Sequence, residues 1–393
     1  MKDDVSIPHI MLVAGEPSGD ALGGELMEAL KELTHGAVRI TGAGGPKMIA
    51  QGLTSIFPMS DTSVMGPREV IPRLPLILRR MRETADFAVR ERPDVLVIID
   101  SPDFTHMVAK RVAKRAPDIP IANYVSPSVW AWRRGRARGM AKYVKRVLAL
   151  LPFEPDFFRA EANLDCVYVG HPAIERLPAA GSGEAFRKAR GLASDQPILL
   201  ILPGSRTNEV KRLIADFGAT AALLARDIPG IKFVLPTVPH VRHLVEEGVK
   251  SWTVPVELIE GEDEKRAAFD AATAALAASG TVSLELGLAR VPMVIAYKID
   301  PIAAWVVSGL LKVPSVVVVN LILDRPSVRE FLQFAAKPAA LADALKPLLR
   351  DTPARKQALA DLDELREIMG VGGDRPSLRA ARAVLEMLPP RLR

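Results

Sequence analysis

Short apolar, β-branched runs recur along the chain, and segments of helical period separate them. In the first half the runs are Ile10–Ala14, Val38–Thr41, Val95–Ile99, Ile121–Tyr124, Val147–Leu151 and Val167–Val169, with helices predicted over Asp20–Leu33, Leu76–Arg90 and Phe104–Arg115. Continuous apolar strands alternating with helices are the pattern of βαβ units on a parallel sheet covered on both faces. The pattern restarts at Ile198–Leu202, Lys232–Leu235, Val256–Ile259, Ala274–Ala277, Met293–Ala296 and Val316–Val319. Between the halves, LPAAGSGEAFRKARGLASDQP is rich in Ala, Gly, Ser and Pro and reads as a connection. The expected organisation is α/β, with doubly wound domains over residues 1–172 and 197–338 and a linker over 173–196. A helical tail over 339–393 has too little apolar material for a core of its own.

Charge changes the picture locally. The 393 residues carry a net charge of +6, yet residues 106–150 hold 11 Lys and Arg against Asp118 alone, a local +10 that leaves the remainder acidic. Such an excess calls for an anionic partner: phosphate, a membrane surface or nucleic acid. The lone Cys166 excludes an intrachain disulfide or a multi-cysteine zinc cluster and fits a reducing compartment. The first residues lack the apolar core of a signal peptide, and Lys312 and Pro314 interrupt the apolar stretch from Ile302 to Leu323. The reading is a cytoplasmic protein without a spanning segment.

Candidate chemistry sits in the turns that follow the strands. Gly15-Glu16-Pro17-Ser18-Gly19-Asp20 matches neither a dinucleotide fingerprint nor a P-loop. Glu16 stands at a strand end where open α/β sheets bind ligands, and Ser18 or Asp20 can cap the next helix. Gly42-Ala43-Gly44-Gly45-Pro46 adds a second glycine loop. Asp100 ends the apolar run Val95–Ile99, where partial desolvation raises the basicity of a carboxylate; it reads as a general base or a structural acceptor. Ser126, Trp130 and Trp132 lie in a loop that feeds the basic run, either as a platform for a sugar or amphiphile or as core aromatics. In the second half, Gly204-Ser205-Arg206 and Ser279-Gly280-Thr281 each join a strand to a helix and can bind an anion, or simply cap the helix. Glu285, one turn further on, can accept both hydroxyls of a ribose. Two anion-type turns in one domain point to a nucleotide diphosphate. Neither Asp100 with Asp103 nor the six histidines make a metal-ligand set, and His171 reads as a structural or cleft residue, so neither metal nor cofactor is expected.

Taken in order, AGEPSGD, GAGGPKM, SVMG, RPDVLVIIDSPDF, YVSPSVWAWR, LPFE, VGHP, LPGSR and ASGTVSLE resemble the lipid A disaccharide synthases, over most of residues 10–325. The resemblance implies a GT-B fold: two Rossmann-like domains, a cleft between them, and C-terminal helices that cross back to the first. It implies an inverting transfer that joins UDP-2,3-diacylglucosamine to 2,3-diacylglucosamine 1-phosphate, giving the β-1′,6 disaccharide and UDP. Asp100 is then the expected base. Ser205, Arg206, Ser279, Gly280, Thr281, Glu285 and Asn320 are expected around the UDP-sugar, and Glu16, Ser18, Asp20, Ser126, Trp130, Trp132 and His171 around the acceptor. Two departures stand out: Pro17 replaces the family's usual Ala, and VVNLILDR replaces a pattern close to LPNLIAGR around Asn320. The family's arrangements include a homodimer with exchanged C-terminal elements.

Acylated substrates require a lipid surface. Residues Val64–Arg82 interleave apolar positions with Arg68, Arg73, Arg79, Arg80 and Arg82, an amphipathic basic stretch suited to a membrane interface, which three prolines are expected to make irregular. With the 133–146 basic run it is expected to dock on anionic lipid at the inner membrane, and nucleic acid drops out as the partner. The rival readings are another GT-B enzyme, either a lipid-linked N-acetylglucosaminyltransferase or a UDP-sugar 2-epimerase, and a non-catalytic binder of lipid or polyanion.

Overall fold

The computed structural model describes residues 7–63, 67–132, 134–300 and 313–392, with side chains for all of these except 67–70 and 132. The most apolar runs become the innermost strands, because only there are both faces of a strand covered. Every residue of β1 (His9–Ala14), β3 (Val95–Ile99), β7 (Ile198–Leu202) and β10 (Ala274–Ala278) is buried. With β2 (Arg39–Ala43), β4 (Ile121–Tyr124), β5 (Arg146–Ala149) and β6 (Asp165–Tyr168), the first sheet runs in the order β2-β1-β3-β4-β5-β6. The second adds β8 (Lys232–Thr237), β9 (Val256–Glu260), β11 (Met293–Tyr297) and β12 (Arg329–Leu332), in the order β12-β11-β10-β7-β8-β9. All pairings between these strands are parallel.

The chain divides into two units, one reaching Pro172 and resuming at Gly372, the other covering Ala173–Val371. In the first unit the helices Pro67–Glu91 and Pro102–Arg115 pack on one face of the sheet, while Pro17–Leu33 and Pro376–Leu385 share the other. Arg379 donates to the Tyr168 carbonyl at 2.7 Å and Arg146 to that of Ala383 at 3.0 Å, tying the end of the chain to β5 and β6. The tail expected as one segment is therefore divided. Helix Pro353–Met369 stays with the second unit, where Arg325 bonds Asp361 at 3.0 Å. The connection expected over 173–196 also belongs to the second unit. Its helix Ser182–Ala189 is held by the Gly183 amide, which donates to Asp270 at 2.6 Å.

Two local expectations are corrected. The apolar run Val316–Val319 is not a strand but leads into helix Val318–Leu323, and the last strand is β12, a short, partly exposed edge with little apolar pattern. Prolines 72 and 75 do not interrupt the 64–82 stretch, since a helix runs from Pro67 to Glu91. Pro75 leaves the Ile71 carbonyl without a donor, and Ile71 is exposed, so water can take that carbonyl up. Residues 64–66 of the basic stretch, and 302–312 of the apolar stretch from Ile302 to Leu323, lie outside the described residues.

Candidate active site

In the first sheet the chain order reverses between β1 and β3, the kind of switch point at whose carboxyl ends open α/β sheets bind ligands. Glu16 and Ser18 come from the β1 side, Asp100 and Ser101 from the β3 side. The Ser18 hydroxyl donates to Asp100 Oδ2 at 2.7 Å, and the Ser101 hydroxyl donates to Glu16 Oε1 at 3.0 Å. Asp100 and Ser101 both have left-handed backbone, with φ of 51° and 45°, so the strand turns sharply into helix Pro102–Arg115. The turn is fixed by the Asp100 amide donating to the Tyr124 carbonyl at 3.0 Å and by Thr105 Oγ1 donating to the Asp100 carbonyl at 2.6 Å. A Cβ at Gly15 would stand 2.9 Å from Ser101 Oγ, so glycine lets the two loops meet. Among the described residues, Asp100 Oδ1 accepts no hydrogen bond, leaving that oxygen of a half-buried carboxylate available to an incoming proton.

Asp20 is not part of this constellation. It is buried, and its carboxylate accepts from the amides of Gly45, Lys47 and Met48 at 2.7, 2.9 and 3.0 Å, capping helix Pro46–Ala50. The second glycine loop is thus a partner of Asp20. Ser126 is buried at the end of β4, after Val125, whose φ of 71° is unusual for a β-branched residue. Trp130 is half-buried and donates its indole N–H to Glu154 Oε1 at 3.1 Å; the Trp132 side chain lies outside the described residues. His171 is half-buried just beyond β6.

The second sheet repeats the reversal between β7 and β10, and here the turns line a pocket of about 270 Å³. Ser205, Arg206, Ser279, Gly280, Thr281 and Glu285 all line it. Gly204 has a φ of 113°, and a Cβ there would come within 2.6 Å of Glu209 Cβ. Glu209 closes this turn on itself: its Oε2 accepts from the Ser205 and Arg206 amides, each at 3.2 Å. Those two amides are thus engaged, and the turn's accessible cation is the Arg206 guanidinium, 75% exposed. Helix Thr281–Leu288 opens on Gly280 with no capping side chain, so its positive end faces the pocket. Asn320 does not join the set. It is buried, its Nδ2 donates to the Val328 carbonyl at 2.8 Å and its Oδ1 accepts from the Val328 amide at 2.7 Å, so both amide functions hold its own loop.

Three residues were missed. Lys265 lines the pocket and bonds Glu285 at 2.9 Å and Glu262 at 3.3 Å; burial works against its charge, but the two carboxylates outweigh it and hold the ammonium above the usual lysine range. In sequence it is one charge in GEDEKR, indistinguishable from a solvated run. Glu209, three residues beyond Arg206, closes half of a capping box, but the sequence does not show it, since the signature begins with Ser, Thr, Asp or Asn and arginine has no acceptor. Glu154 is buried, and desolvation pushes its carboxyl up to about 7 against the donors of Leu151, Trp130, Ser126 and Leu150.

Comparison with known proteins bears on the whole arrangement. The family model described as lipid-A-disaccharide synthetase matches residues 10–376. A lipid-A-disaccharide synthase of Rhodospirillum centenum is 48% identical over 98% of this chain and 95% of its own length. Among solved structures, the glycotransferase of kitacinnamycin superposes with a TM-score of 0.59 at 20% identity, covering 98% of this chain and 100% of its own. A putative UDP-N-acetylglucosamine 2-epimerase from Listeria monocytogenes gives 0.63 at 11% identity, over 97% of this chain and 95% of its own.

Proposed function

The chain belongs to the lipid-A-disaccharide synthase family and is a glycosyltransferase of the GT-B fold, and on that premise we propose how its residues carry the transfer of a diacylglucosamine from UDP to the 6-hydroxyl of 2,3-diacylglucosamine 1-phosphate. The observation that carries the reading is the pocket between β7 and β10, where Arg206, Lys265, Ser279, Thr281 and Glu285 surround an uncapped helix N-terminus. It suits a nucleotide diphosphate: the helix end and Arg206 meet the phosphates, and Glu285 takes the ribose hydroxyls. Asp100 accepts the proton of the acceptor hydroxyl while the new C–O bond forms at the donor's anomeric carbon. The bond from that carbon to phosphate breaks on the opposite face, and UDP leaves with the electron pair, so an α-linked donor gives a β-linked product. Glu16, Ser18, Ser126, Trp130 and His171 are assigned to the acceptor side.

The lipid tails require that the protein work at a membrane surface. Among the described residues no helix is long and apolar enough to cross one. Ile71 and Leu74, 69% and 46% exposed on helix Pro67–Glu91, provide an apolar edge beside Arg73 and Arg79 for peripheral docking on anionic lipid at the cytoplasmic side of the inner membrane. Incubation with UDP-2,3-diacylglucosamine and the 1-phosphate acceptor, followed by mass spectrometry, tests the reaction. Disaccharide 1-phosphate and UDP are expected in equal amounts, and an epimerised UDP-sugar without disaccharide would overturn the reading.

A further inference from the structure

Glu154 is 3% exposed, and among the described residues its hydrogen-bond partners are all donors. Trp130 Nε1–H reaches Oε1 at 3.1 Å, and the Leu150 and Leu151 amides reach Oε2 at 3.1 and 3.0 Å. The carboxylate thereby joins two loops, the one after β4 that carries Ser126 and Trp130 and the one after β5. Phe153 completes the seat, its ring edge-on to the indole with centroids 5.0 Å apart. The β4 loop is also anchored where it begins, by the strained Val125, whose amide donates to the Leu148 carbonyl at 3.2 Å, and by Val129, buried in one core cluster with Val147 and Phe158. The Val129 and Ala131 amides donate within the loop, to Pro127 and Ser128, so the polar tie on the indole itself is Glu154. Ser128 is exposed and Trp130 half-buried, so one surface of the ring is seated and the loop before it is open.

We propose that Glu154 is a positioning residue for the acceptor: its ionised carboxylate holds the Trp130 indole in the orientation that meets the acceptor, and protonation weakens that hold. The proposal rests on the assignment of Trp130 to the acceptor side. Protonation removes the charge and one of the carboxylate's four acceptor sites, so the bonds from Trp130 and the two amides pass from charge-assisted to neutral and lose about half their strength. The carboxyl titrates near 7, so the exchange falls close to neutral pH. Its titratable neighbours on β6 stay neutral there, since burial raises the Cys166 thiol far above its usual range and the Tyr168 phenol to about 12. Arg159, near Cys166, and Arg379, 4.8 Å from the Tyr168 ring centroid, are permanent cations, and Asp165 is paired with Arg146 at 2.6 Å.

Two measurements test it. In full-length protein with Trp132, Trp252 and Trp305 replaced by Phe, Trp130 emission should titrate between pH 6 and 8, and Glu154→Gln should abolish the transition. In steady-state transfer by the native protein, acceptor KM should rise about tenfold from pH 8 to pH 6 with kcat little changed, the size expected for one hydrogen bond to a charged group. Glu154→Gln and Trp130→Phe should each raise acceptor KM to a similar degree, and the double variant should be no worse than the poorer single one. A flat emission profile, or additive losses in the double variant, overturns the proposal. Should emission titrate while Trp130→Ala leaves acceptor KM unchanged, the tether stands but the acceptor assignment falls, and the positioning role falls with it.

Discussion

The Ser18 hydroxyl and the Asp100 carboxylate lie 2.7 Å apart although 82 residues separate them in sequence, because β1 and β3 are neighbours and their loops meet over Gly15. Ser18 occupies Oδ2 and leaves Oδ1 for a substrate proton. Asp100→Asn should therefore lower kcat by about two to four orders of magnitude, the range of general base catalysis, with UDP affinity nearly unchanged. Ser18→Ala removes only the group that orients the carboxylate and should cost about tenfold. Turnover of Asp100→Asn close to that of the native enzyme would take the base role away.

Among the described residues Arg206 pairs with Glu209 alone, at 3.2 Å and largely in water, a contact of little worth to the fold. Its value should appear when a diphosphate arrives. Arg206→Ala is expected to leave the unfolding midpoint unchanged and weaken UDP binding by about 10- to 100-fold in calorimetry, the worth of one charge-assisted pair. Arg206→Lys should recover only part of this, because a lone ammonium lacks the planar fork.

Asp20 is expected to behave in the opposite way. Its carboxylate is 2% exposed and satisfies three amides at the start of helix Pro46–Ala50. Asp20→Ala orphans those donors in the interior and should cost about 3 kcal/mol in urea unfolding. Where the protein remains folded, turnover should stay within about threefold of native, the range of a change outside the chemical step. A stable but inactive Asp20→Asn would return the residue to the site.

Asp20 and Asp100 also mark how far the sequence could be read. Both follow an apolar strand within a few residues and carry the same charge. What separates them is the surroundings: three amides converge on one, and a single hydroxyl meets the other. The strands of the parallel sheets were legible because burial on both faces forces a continuous apolar run, as in Val95–Ile99 and Ile198–Leu202. β12 was not, since an edge strand reading Arg-Glu-Phe-Leu is free of that demand. Val316–Val319 met the apolar criterion and yet leads into a helix, which Asn320 ties to Val328. Lys265 and Glu154 could not be recognised, because a charge in sequence looks solvated until the fold covers it.

The apolar edge of helix Pro67–Glu91 decides where a membrane test should be aimed. Leu76, Ile77 and Leu78 are the obvious cluster in sequence, but Ile77 is buried and Leu78 packs against the first unit's core. Replacing them would unfold rather than undock. Ile71 and Leu74 stand in solvent, so the double change to Ser should leave stability intact and reduce flotation with anionic liposomes several-fold. Undiminished flotation would move the docking surface elsewhere, with the basic 133–146 run next to be tested.

His106 gives the first unit a stability that falls with acid. Its ring is 5% exposed on helix Pro102–Arg115, with Nδ1 2.9 Å from the Tyr143 hydroxyl. Burial, and then the charges of Arg136 and Lys110, lower its pKa from 6.5 to about 4. Above 6.5 the ring is neutral in both folded and unfolded chains and costs nothing. As pH falls from 6.5 toward 4, the unfolded chain takes up a proton that the folded one refuses, so stability is lost across that window. The loss attributable to this one group is about 2 kcal/mol at pH 5, relative to neutral pH. His106→Gln, which keeps a partner for Tyr143 but cannot titrate, should lose that much less stability between pH 7 and pH 5 in parallel urea titrations. Equal losses in the two proteins would mean that His106 titrates near its ordinary value in the folded chain and that the acid sensitivity lies in other groups.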